Sequence, residues 1–534
     1  MKTNPYDSIP YTKHVYQQTQ PNTLATLAIL FGMRPPPVET CRVLELGCAS
    51  GINTIAMAQA IPNGEFIGVD FSEQQIREGQ ENISRLGLPN IQLKPLNITR
   101  VDFELGMFDY IVAHGVYSWV PPVVRDKILQ ICCEHLQPNG VAYVSYNIYP
   151  GWHLDRVLRE MMLYRTRGVR DPQEKLEQAK ALVNFFIESI KHKYDSYSLW
   201  LKKELQHISQ LNDNYLAHEY LEEHNEPVFF HEFIEHAQRH GLQYITDTRV
   251  PFVSIDNFGL PAAEAFDFDD IEIEQYMDFL RNNPFRESLL CHQEIVLNRH
   301  LELDRISDFH IAAPLKPAST PQSPVTFSES LKEEMLERFE NLAGEAVLSV
   351  ASPLLKAVCL CLGEMWPQSL SFDELMARVY ELLIMTDQET YYEILSPENI
   401  SEIKTMLAQF YLKKIVELSI YPPQFNLHVS DCPLASPLAR LQSQQGKQVT
   451  NLRYEIFTLS FATRQVLSHL DGKHDRAALL EVLRQSVIKG DLVLYRGEEQ
   501  KTLIEVDDDE LHNLLSSQLD EILPGLAHKA YLIN

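Results

Sequence analysis

The stretch from Arg42 to Gly51, R-V-L-E-L-G-C-A-S-G, constrains the fold of this 534-residue chain more than any other. Its apolar residues predict a short buried strand. That strand runs directly into a turn of small residues, which begins at Gly47 and ends at Gly51. Apolar side chains then recur at helical spacing from Ile52 to Met57. A strand, a tight glycine turn and a helix form the first βα unit of a nucleotide-binding type of sheet.

The details of this turn favour one cofactor over another. A dinucleotide loop needs closely spaced glycines, because its backbone N–H groups must approach a pyrophosphate at a helix N-terminus. Ala49 stands where the middle glycine would be, and Glu45 would repel a pyrophosphate but suits the cationic amino and sulfonium groups of S-adenosylmethionine. We therefore predict that S-adenosylmethionine is the cofactor and that it is bound by Glu45, Gly47, Cys48, Ala49 and Gly51. An ordinary βα turn of some other α/β enzyme is the competing interpretation.

Two later strand ends extend the predicted cofactor site. The apolar stretch 66–69 ends in Asp70, and an acid roughly 20 residues after the glycine turn is placed to hydrogen-bond ribose hydroxyls. The polar residue just past a third strand, 91–94, is expected at the adenine edge, and this residue is Asn97. The predicted cofactor contacts at these ends are Asp70, Phe71, Asn97 and Ile98, with His114 added from the fourth strand end.

Strands and helices alternate through the first part of the chain, which predicts an α/β fold with a Rossmann-like sheet. The predicted strands are 42–46, 65–70, 91–94, 108–113 and 141–146. Residues 41–150 form the predicted cofactor-binding core, and residues 1–40 a segment that covers the cofactor or pads the sheet. Residues 151–225 are predicted as a helical cap over the ligand crevice, because insertions at the carboxyl edge of a parallel sheet lie there. Residues 226–311 return to the sheet.

The C-terminal part is predicted to be mainly helical and to resemble a winged helix. A Pro/Ser/Thr-rich linker at 312–328 precedes it, and helices are predicted near 329–342, 352–365, 371–383 and 399–414, before a strand at 415–420. A helix–turn–helix pattern recurs at 462–484, within a domain spanning 329–534. Its helices are not strongly basic and the net charge of the chain is −27. We therefore predict a protein-docking or packing module, with no nucleic-acid partner.

Cysteine content and hydropathy indicate the cellular location of the protein. The eight cysteines include no C-x-x-C pair and no matched Cys/His cluster, so we predict no metal site and a reduced, cytoplasmic location. The first residues lack the apolar core of a signal peptide. No run reaches the roughly 18 apolar residues of a membrane-spanning helix, so no membrane insertion is expected.

The ends of the fourth and fifth strands carry the predicted catalytic and substrate-contacting residues. Aromatic faces at such a position hold an alkylammonium group by cation–π contact. Each of these aromatic rings is equally suited to packing, and His114 fits both a general base and a residue that holds its loop. The candidates are His114, Tyr117, Trp119, Tyr146, Asn147, Tyr149 and Trp152.

Four motifs resemble those of class I S-adenosylmethionine-dependent methyltransferases: V-L-E-L-G-C-A-S-G at 43–51, V-D-F-S at 69–72, A-H-G-V-Y-S-W-V-P at 113–121 and S-Y-N-I-Y-P-G-W at 145–152. H-E-Y-L-E-E-H-N-E-P at 218–227 and F-F-H-E-F at 229–233 are similar to a methyltransferase regulatory domain. More narrowly, the chain resembles the rickettsial-type protein lysine methyltransferases. That resemblance implies a seven-stranded methyltransferase sheet, a protein substrate methylated on lysine, and a dimerisation domain, hence a possible homodimer.

Other functions stay open at this point. The first alternative is a methyltransferase for a small molecule or a biosynthetic intermediate, and a second is a binding or scaffold protein that keeps the cofactor fold without catalysis. A nucleic-acid amino-methyltransferase is disfavoured, because the D/N-P-P-Y/F element expected after the fourth strand is absent and Trp119-Val120-Pro121-Pro122 lacks its amide or acid and its aromatic ring.

Overall fold

A computed structural model describes residues 14–249, 269–299, 301–318, 336–342, 344–386, 396–496, 499–501 and 508–533. Contacts divide the chain into two compact units. The first holds residues 33–58 and 63–297 together with His14, and the second holds residues 15–32, 59–62 and the chain from 298 onwards.

A seven-stranded sheet organises the first unit. Its order is β3-β2-β1-β4-β5-β7-β6. The first five strands in the chain pair in parallel, whereas β7 runs antiparallel to both β5 and β6. The strands are β1 (Arg42–Leu46), β2 (Glu65–Asp70), β3 (Ile91–Pro95), β4 (Phe108–Ala113), β5 (Leu136–Asn147), β6 (Leu242–Asp247) and β7 (Phe285–His292). The chain order reverses beside β1, so the carboxyl ends of β1 and β4 flank the switch point at which such sheets bind ligands.

The helices begin and end largely where the apolar periodicity and the caps predict. Ser72, for example, accepts a hydrogen bond from the amide of Gln75 and caps the helix that follows β2. The helices of the first 300 residues are α1 (Pro21–Leu30), α2 (Ile52–Ala60), α3 (Glu73–Leu86), α4 (Pro122–Glu134), α5 (Gly151–Arg165), α6 (Pro172–Ser189), α7 (Ser196–Ser209), α8 (Asp213–Tyr220), α9 (Phe230–Arg239) and α10 (Asp270–Arg281).

The core of the sheet and the core of the predicted cap are separate clusters. Leu44, Ile111 and Val144 of β1, β4 and β5 are fully buried and pack with side chains of α4 and α9. Helices α5 to α8 bury a second apolar cluster of their own, which includes Leu158, Leu176 and Leu205. The helical insertion after β5 is thus a small bundle with its own core.

The structure contains a strand that the sequence does not predict. Within the region 226–311, which is expected to return to the sheet, Phe285–His292 forms β7, and its residues Arg286, Glu287 and Ser288 are fully buried. Buried charges hide the apolar pattern by which a strand is recognised in a sequence.

The second unit contains the remaining elements. Short strands form the three-stranded sheets β11-β10-β9 and β12-β8-β13 and the pairs β14-β15 and β16-β17. These are β8 (His310–Ala312), β9 (Lys316–Pro317), β10 (Glu337–Glu340), β11 (Ala346–Val350), β12 (Leu370–Ser371), β13 (Glu417–Ser419), β14 (Gln448–Thr450), β15 (Ile456–Thr458), β16 (Leu494–Arg496) and β17 (Glu499–Lys501). Its helices beyond α1 are α11 (Pro353–Met365), α12 (Phe372–Thr386), α13 (Pro397–Leu412), α14 (Pro437–Gln445), α15 (Phe461–His469), α16 (Arg476–Ile488) and α17 (Asp508–His528).

Predictions for the second unit are corrected at two places. Residues 337–340 form β10 rather than the end of a helix at 329–342, because pairing with β9 and β11 outweighs the helical spacing of the local apolar residues. The part of that helix before residue 336, and residues 319–328 of the predicted linker, lie outside the described residues. Residues 310–312 and 316–317 of the region around the linker are strands.

The described part of the predicted N-terminal segment, residues 14–40, is divided between the two units. Residues 15–32 belong to the second unit, where Phe31 and Leu30 accept hydrogen bonds from the amides of Asn298 and Glu302. A cofactor-covering role for residues 1–40 stays a prediction, and residues 1–13 lie outside the described part. Among the described helices, none is long and apolar enough to cross a membrane.

Candidate functional site

The turn between β1 and α2 has the left-handed backbone that its glycines allow. Gly47 and Gly51 have φ angles of +73° and +69°. A Cβ at Gly47 would lie 2.5 Å from Val116 Cγ2, and one at Gly51 would lie 2.5 Å from Leu93 Cδ1. Between them Ala49 also has a positive φ, 50°, which is a strained conformation for a residue with a side chain. The left-handed backbone therefore favours both glycines, and a Cβ at either position would also displace the side chain of Val116 or Leu93.

Two carboxylates give this end of the sheet a negative field. Glu45 is buried and accepts hydrogen bonds from the side chains of Asn53, at 2.9 Å, and Thr54. Burial raises the pKa of Glu45, the two hydrogen bonds lower it, and the charge of Asp70 raises it further. Glu45 thus braces the start of α2, and the pair of acids favours a cationic ligand over a phosphate.

Asp70 shapes the turn from the end of β2. Its Oδ2 accepts a hydrogen bond from the amide of Ala49 and its Oδ1 one from the amide of Ser72, both at 2.8 Å. These two hydrogen bonds fix the carboxylate at the carboxyl end of β2, where sheets of this kind bind the ribose of a nucleoside. The next side chain, Phe71, is 67% exposed and offers an apolar face beside that carboxylate.

Other predicted cofactor contacts lie at the same edge. The Oδ1 of Asn97 accepts hydrogen bonds from the amide and the hydroxyl of Thr99, each at 2.9 Å, so a further hydrogen bond of this side chain would come from its amide nitrogen. Ile98 and Cys48 are buried. Burial raises the pKa of the Cys48 thiol well above its usual value, which makes it a packing group rather than a nucleophile. Acid, exposed aromatic ring and amide donor together fit a cationic nucleoside.

His114 is held at the end of β4 by the neighbouring strand. Its Nδ1 lies 2.9 Å from the hydroxyl of Tyr143 and 3.3 Å from that of Ser145, both on β5. The Ser145 hydroxyl also accepts a hydrogen bond from the amide of Gly115, at 2.7 Å. Burial and the nearby Arg249 guanidinium lower the pKa of His114 to about 3. The imidazole is therefore neutral at physiological pH.

Tyr117 and Tyr146 are packed inside the protein, with exposures of 2% and 1%. Tyr146 stacks on Phe233 with 3.8 Å between ring centroids, and Tyr117 meets Phe233 edge-on at 5.1 Å. The Tyr117 hydroxyl lies 2.8 Å from His236 Nδ1, and that of Tyr146 lies 2.8 Å from Ser288 Oγ. These contacts join the strand ends to α9.

Asn147 and Trp152 are also buried, and Trp152 packs against the more accessible Trp119. Trp119 meets Trp152 edge-on at a centroid distance of 6.3 Å. The Nδ2 of Asn147 donates to Asn225 Oδ1 at 3.2 Å. Within the described part of the chain, the buried amide nitrogen of Asn225 has no hydrogen-bond partner.

Tyr149 is partly exposed and lies in an aromatic cluster. Its ring stacks on His153 at 4.2 Å and lies 5.4 Å from Phe229. Its hydroxyl accepts a hydrogen bond from Arg156 at 3.2 Å. Of the seven strand-end candidates, His114, Trp119 and Tyr149 are thus the three with more than marginal exposure.

Sequence reasoning missed Tyr143, Ser145, Arg249 and Asn225 as neighbours of the candidate residues. Tyr143 and Ser145 alternate along β5, which places them on one face of the strand and offers the one available signal. Arg249 and Asn225 come from distant segments, and nothing in the sequence links them to β4 or β5.

Comparison with known proteins gives three family matches along the chain. They are a methyltransferase domain at residues 43–140, a predicted methyltransferase regulatory domain at 212–292 and a PKMT C-terminal winged helix domain at 431–531. The last match begins about 100 residues later than the predicted start of the winged-helix-like domain at residue 329.

Relatives match over nearly the whole chain. The uncharacterized protein RP789 of Rickettsia prowazekii is 35% identical over 525 residues, which is 97% of this chain and 92% of the relative. The structure of PKMT2 from Rickettsia typhi superposes with a TM-score of 0.85 at 30% identity, over 98% of this chain and all of PKMT2. The same protein has a structure in complex with AdoHcy, at 29% identity. The predicted cofactor, S-adenosylmethionine, and the predicted methyltransferase sheet are confirmed.

Proposed function

We propose that this chain methylates lysine side chains of a protein substrate. The chain belongs to the family of S-adenosylmethionine-dependent methyltransferases that includes PKMT2 of Rickettsia typhi. The observation that carries this proposal is the extent of the likeness, which includes the regulatory and winged helix regions as well as the cofactor sheet. Demethylmenaquinone methyltransferase of Bacillus cytotoxicus, by contrast, matches over 19% of this chain. A shared cofactor domain alone does not indicate a shared substrate.

The cofactor would be held between the turn after β1 and the ends of β2 and β3. When bound, S-adenosylmethionine supplies an electrophilic methyl group. In this proposal the carboxylate of Asp70 binds the ribose hydroxyls, the face of Phe71 packs on the adenine, and Asn97 donates to the adenine edge. Glu45 and Asp70 lower the energy of the cation through their shared negative field.

The acceptor would reach the methyl group past the ends of β4 and β5. Methyl transfer is an in-line displacement, so the contribution of the protein is chiefly alignment and exclusion of water. Trp119 and Tyr149 are the partly exposed aromatic rings at these ends, and a lysine ammonium gains roughly 0.5–2 kcal/mol over such a face.

His114 is assigned a positioning role in this proposal. A lysine must lose its proton before it attacks, and a neutral imidazole has the correct form to accept one. With a pKa of about 3, however, His114 is too weak a base to take a proton from an ammonium group. Its hydrogen bonds to β5 indicate that it fixes the turn that carries Gly115 and Trp119, while the bound ammonium loses its proton to solvent before the amine attacks.

Transfer of a labelled methyl group tests the proposal. The purified protein is incubated with radiolabelled S-adenosylmethionine and bacterial protein fractions, and the labelled peptides are mapped. We expect label on lysine. Label on small molecules alone would reject the proposal in favour of a small-molecule methyltransferase, and failure to bind the cofactor would favour a scaffold protein.

A pair of tyrosine variants tests the acceptor surface. Tyr149→Ala should raise KM for the protein substrate about 2- to 30-fold, the equivalent of one cation–π contact. Tyr164→Ala is the matched control. Tyr164 lies on α5, the helix that also carries His153 and Arg156 of the cluster around Tyr149, and it is 68% exposed. An equal effect of both variants would show that Tyr149 has no specific contact with the acceptor.

A further inference from the structure

Three side chains that commonly bind metals converge where α4 and α9 meet, outside the cofactor turn. The Oδ1 atom of Asp126 lies 2.9 Å from His240 Nε2 and 3.3 Å from His236 Nε2. All three atoms lie within 4.8 Å of one another. In a tetrahedral zinc site with bonds of about 2.0–2.1 Å, neighbouring ligand atoms are about 3.3–3.4 Å apart. The two distances from Asp126 to the histidine nitrogens therefore lie within about 0.5 Å of the spacing in such a site.

The C-terminal end of α9 accounts for two of these ligands. His236 lies in the last turn of α9 and His240, four positions later, caps the end of the helix, and their ring centroids are 5.4 Å apart. Asp126 comes from α4 and its side chain is 61% exposed, which gives an ion access from solvent and leaves room for a water ligand. The prediction of no metal rested on cysteine clusters and overlooked this His-x-x-x-His spacing, whose third ligand lies 110 residues away.

A supporting hydrogen bond fixes one of the imidazoles. His236 Nδ1 lies 2.8 Å from the Tyr117 hydroxyl, so the opposite nitrogen of the ring is directed at Asp126. Metal-binding histidines characteristically use their second nitrogen in this way, and the partner fixes the orientation of the ring. Tyr117 belongs to the turn Tyr117–Trp119, which begins three residues after His114 at the end of β4.

We propose that Asp126, His236 and His240 bind one Zn²⁺ ion, and that this ion joins α4 to α9 and, through Tyr117, holds the turn after β4. The site consists of other residues than the cofactor site, and it does not depend on which molecule accepts the methyl group. Its role is structural: it fixes the segment that carries Trp119. A trio joined only by hydrogen bonds is the competing state, and metal affinity distinguishes the two.

Calorimetric titration of the chelator-treated full-length protein with ZnCl₂ tests the site, and Co²⁺ absorption reports the ligand geometry. We expect one ion per chain and a tetrahedral Co²⁺ spectrum. His240→Ala and Asp126→Ala should each weaken Zn²⁺ binding by about tenfold or more. His192→Ala is the matched control, because His192 is exposed and lies outside the cluster. Two different ligands are tested, so that a folding defect in one variant does not decide the outcome.

The link to the turn after β4 has its own test. Tyr117→Phe keeps the ring in the core and removes the hydroxyl, and it should weaken Zn²⁺ binding about 10- to 100-fold. Unchanged affinity in Tyr117→Phe would overturn the link. Absence of Zn²⁺ binding, or binding that survives both ligand variants, would overturn the site itself.

Discussion

Arg286 on β7 is the residue whose loss should have the largest effect on the first unit. Its guanidinium is fully buried, and its Nε lies 3.0 and 3.1 Å from the two carboxylate oxygens of Asp278. Its Nη2 lies 2.9 Å from a carboxylate oxygen of Glu274, and the group lies 4.1 Å from the centroid of the Phe230 ring. One cation thus balances the acids of α10 inside the protein.

We expect Arg286→Met to destabilise the first unit by about 3–5 kcal/mol at pH 8, because removing one partner leaves a buried charge uncompensated. The loss should be smaller at pH 5. Burial already raises the pKa of Asp278 to about 6 in the presence of Arg286, and the variant raises it further. Below that pKa the acid binds a proton and needs no counter-charge. Each further unit by which the variant raises the pKa of Asp278 adds about 1.4 kcal/mol to the difference between the stability loss at pH 8 and that at pH 5.

Asp278 also makes the stability of the unmodified protein depend on pH. The pKa of Asp278 is higher in the folded state than in the unfolded state, so the stabilisation that this group contributes is complete below about pH 4 and is lost as the pH rises through about 6.

Urea unfolding followed by hydrogen exchange of peptides from β7 measures these effects, because exchange assigns the loss to the first unit. The matched control is Arg156→Met, whose exposed ion pair with Glu160 is worth about 0.3–0.5 kcal/mol. A loss below about 1 kcal/mol in Arg286→Met, or equal losses at pH 5 and pH 8, would refute the account of a buried charge that needs its partner.

Three further predictions concern the site. Asp70→Asn should weaken binding of S-adenosylhomocysteine about 10- to 150-fold in calorimetry, the range for a hydrogen bond to a charged group, whereas Asp102→Asn at an exposed turn should leave it unchanged. Gly51→Ala should lower thermal stability by about 1–3 kcal/mol, since its methyl group would meet Leu93 at a positive φ; an unchanged melting temperature would contradict this. His114→Asn should leave the pH dependence of kcat/KM between pH 6 and 9 unaltered, because a group with a pKa of about 3 does not titrate there, and a lost limb in the profile would assign it a proton-transfer role.

The sequence predicts the cofactor half of the first unit well because local signals decide it. Strand, glycine turn and helix follow one another within a few residues at Arg42–Ala60, and the same alternation continues to β5. The predicted fold class and the helical insertion after β5 are confirmed, because such local signals determine both. The last strand is different: β7 carries Arg286 and Glu287 into the interior, where Asp278 of α10 and Arg249 after β6 supply the opposite charges.

The candidate site shows the same division. Asp70 and Asn97 lie at strand ends, and topology alone brings such ends together. The aromatic residues could not be assigned in this way, because Tyr117 and Trp119 are two positions apart yet one is packed against Phe233 and the other is partly exposed. That difference depends on α9, which enters the chain more than 100 residues later. The substrate contacts predicted for these residues, and a homodimer, stay predictions.

The exposure of Phe71 has a calorimetric consequence. A Phe ring buries about 200 Å² when covered, so closing the 67% that is exposed would remove about 130 Å² of apolar surface from water. At about 0.45 cal/mol/K per Å², this ring alone should make the heat capacity of cofactor binding more negative by about 60 cal/mol/K. Comparing the temperature dependence of the binding enthalpy in the unmodified protein and in Phe71→Ala would measure that share, and equal slopes would show that the ring stays in water. The slope of enthalpy with temperature, rather than an affinity at one temperature, thus records whether adenine covers Phe71.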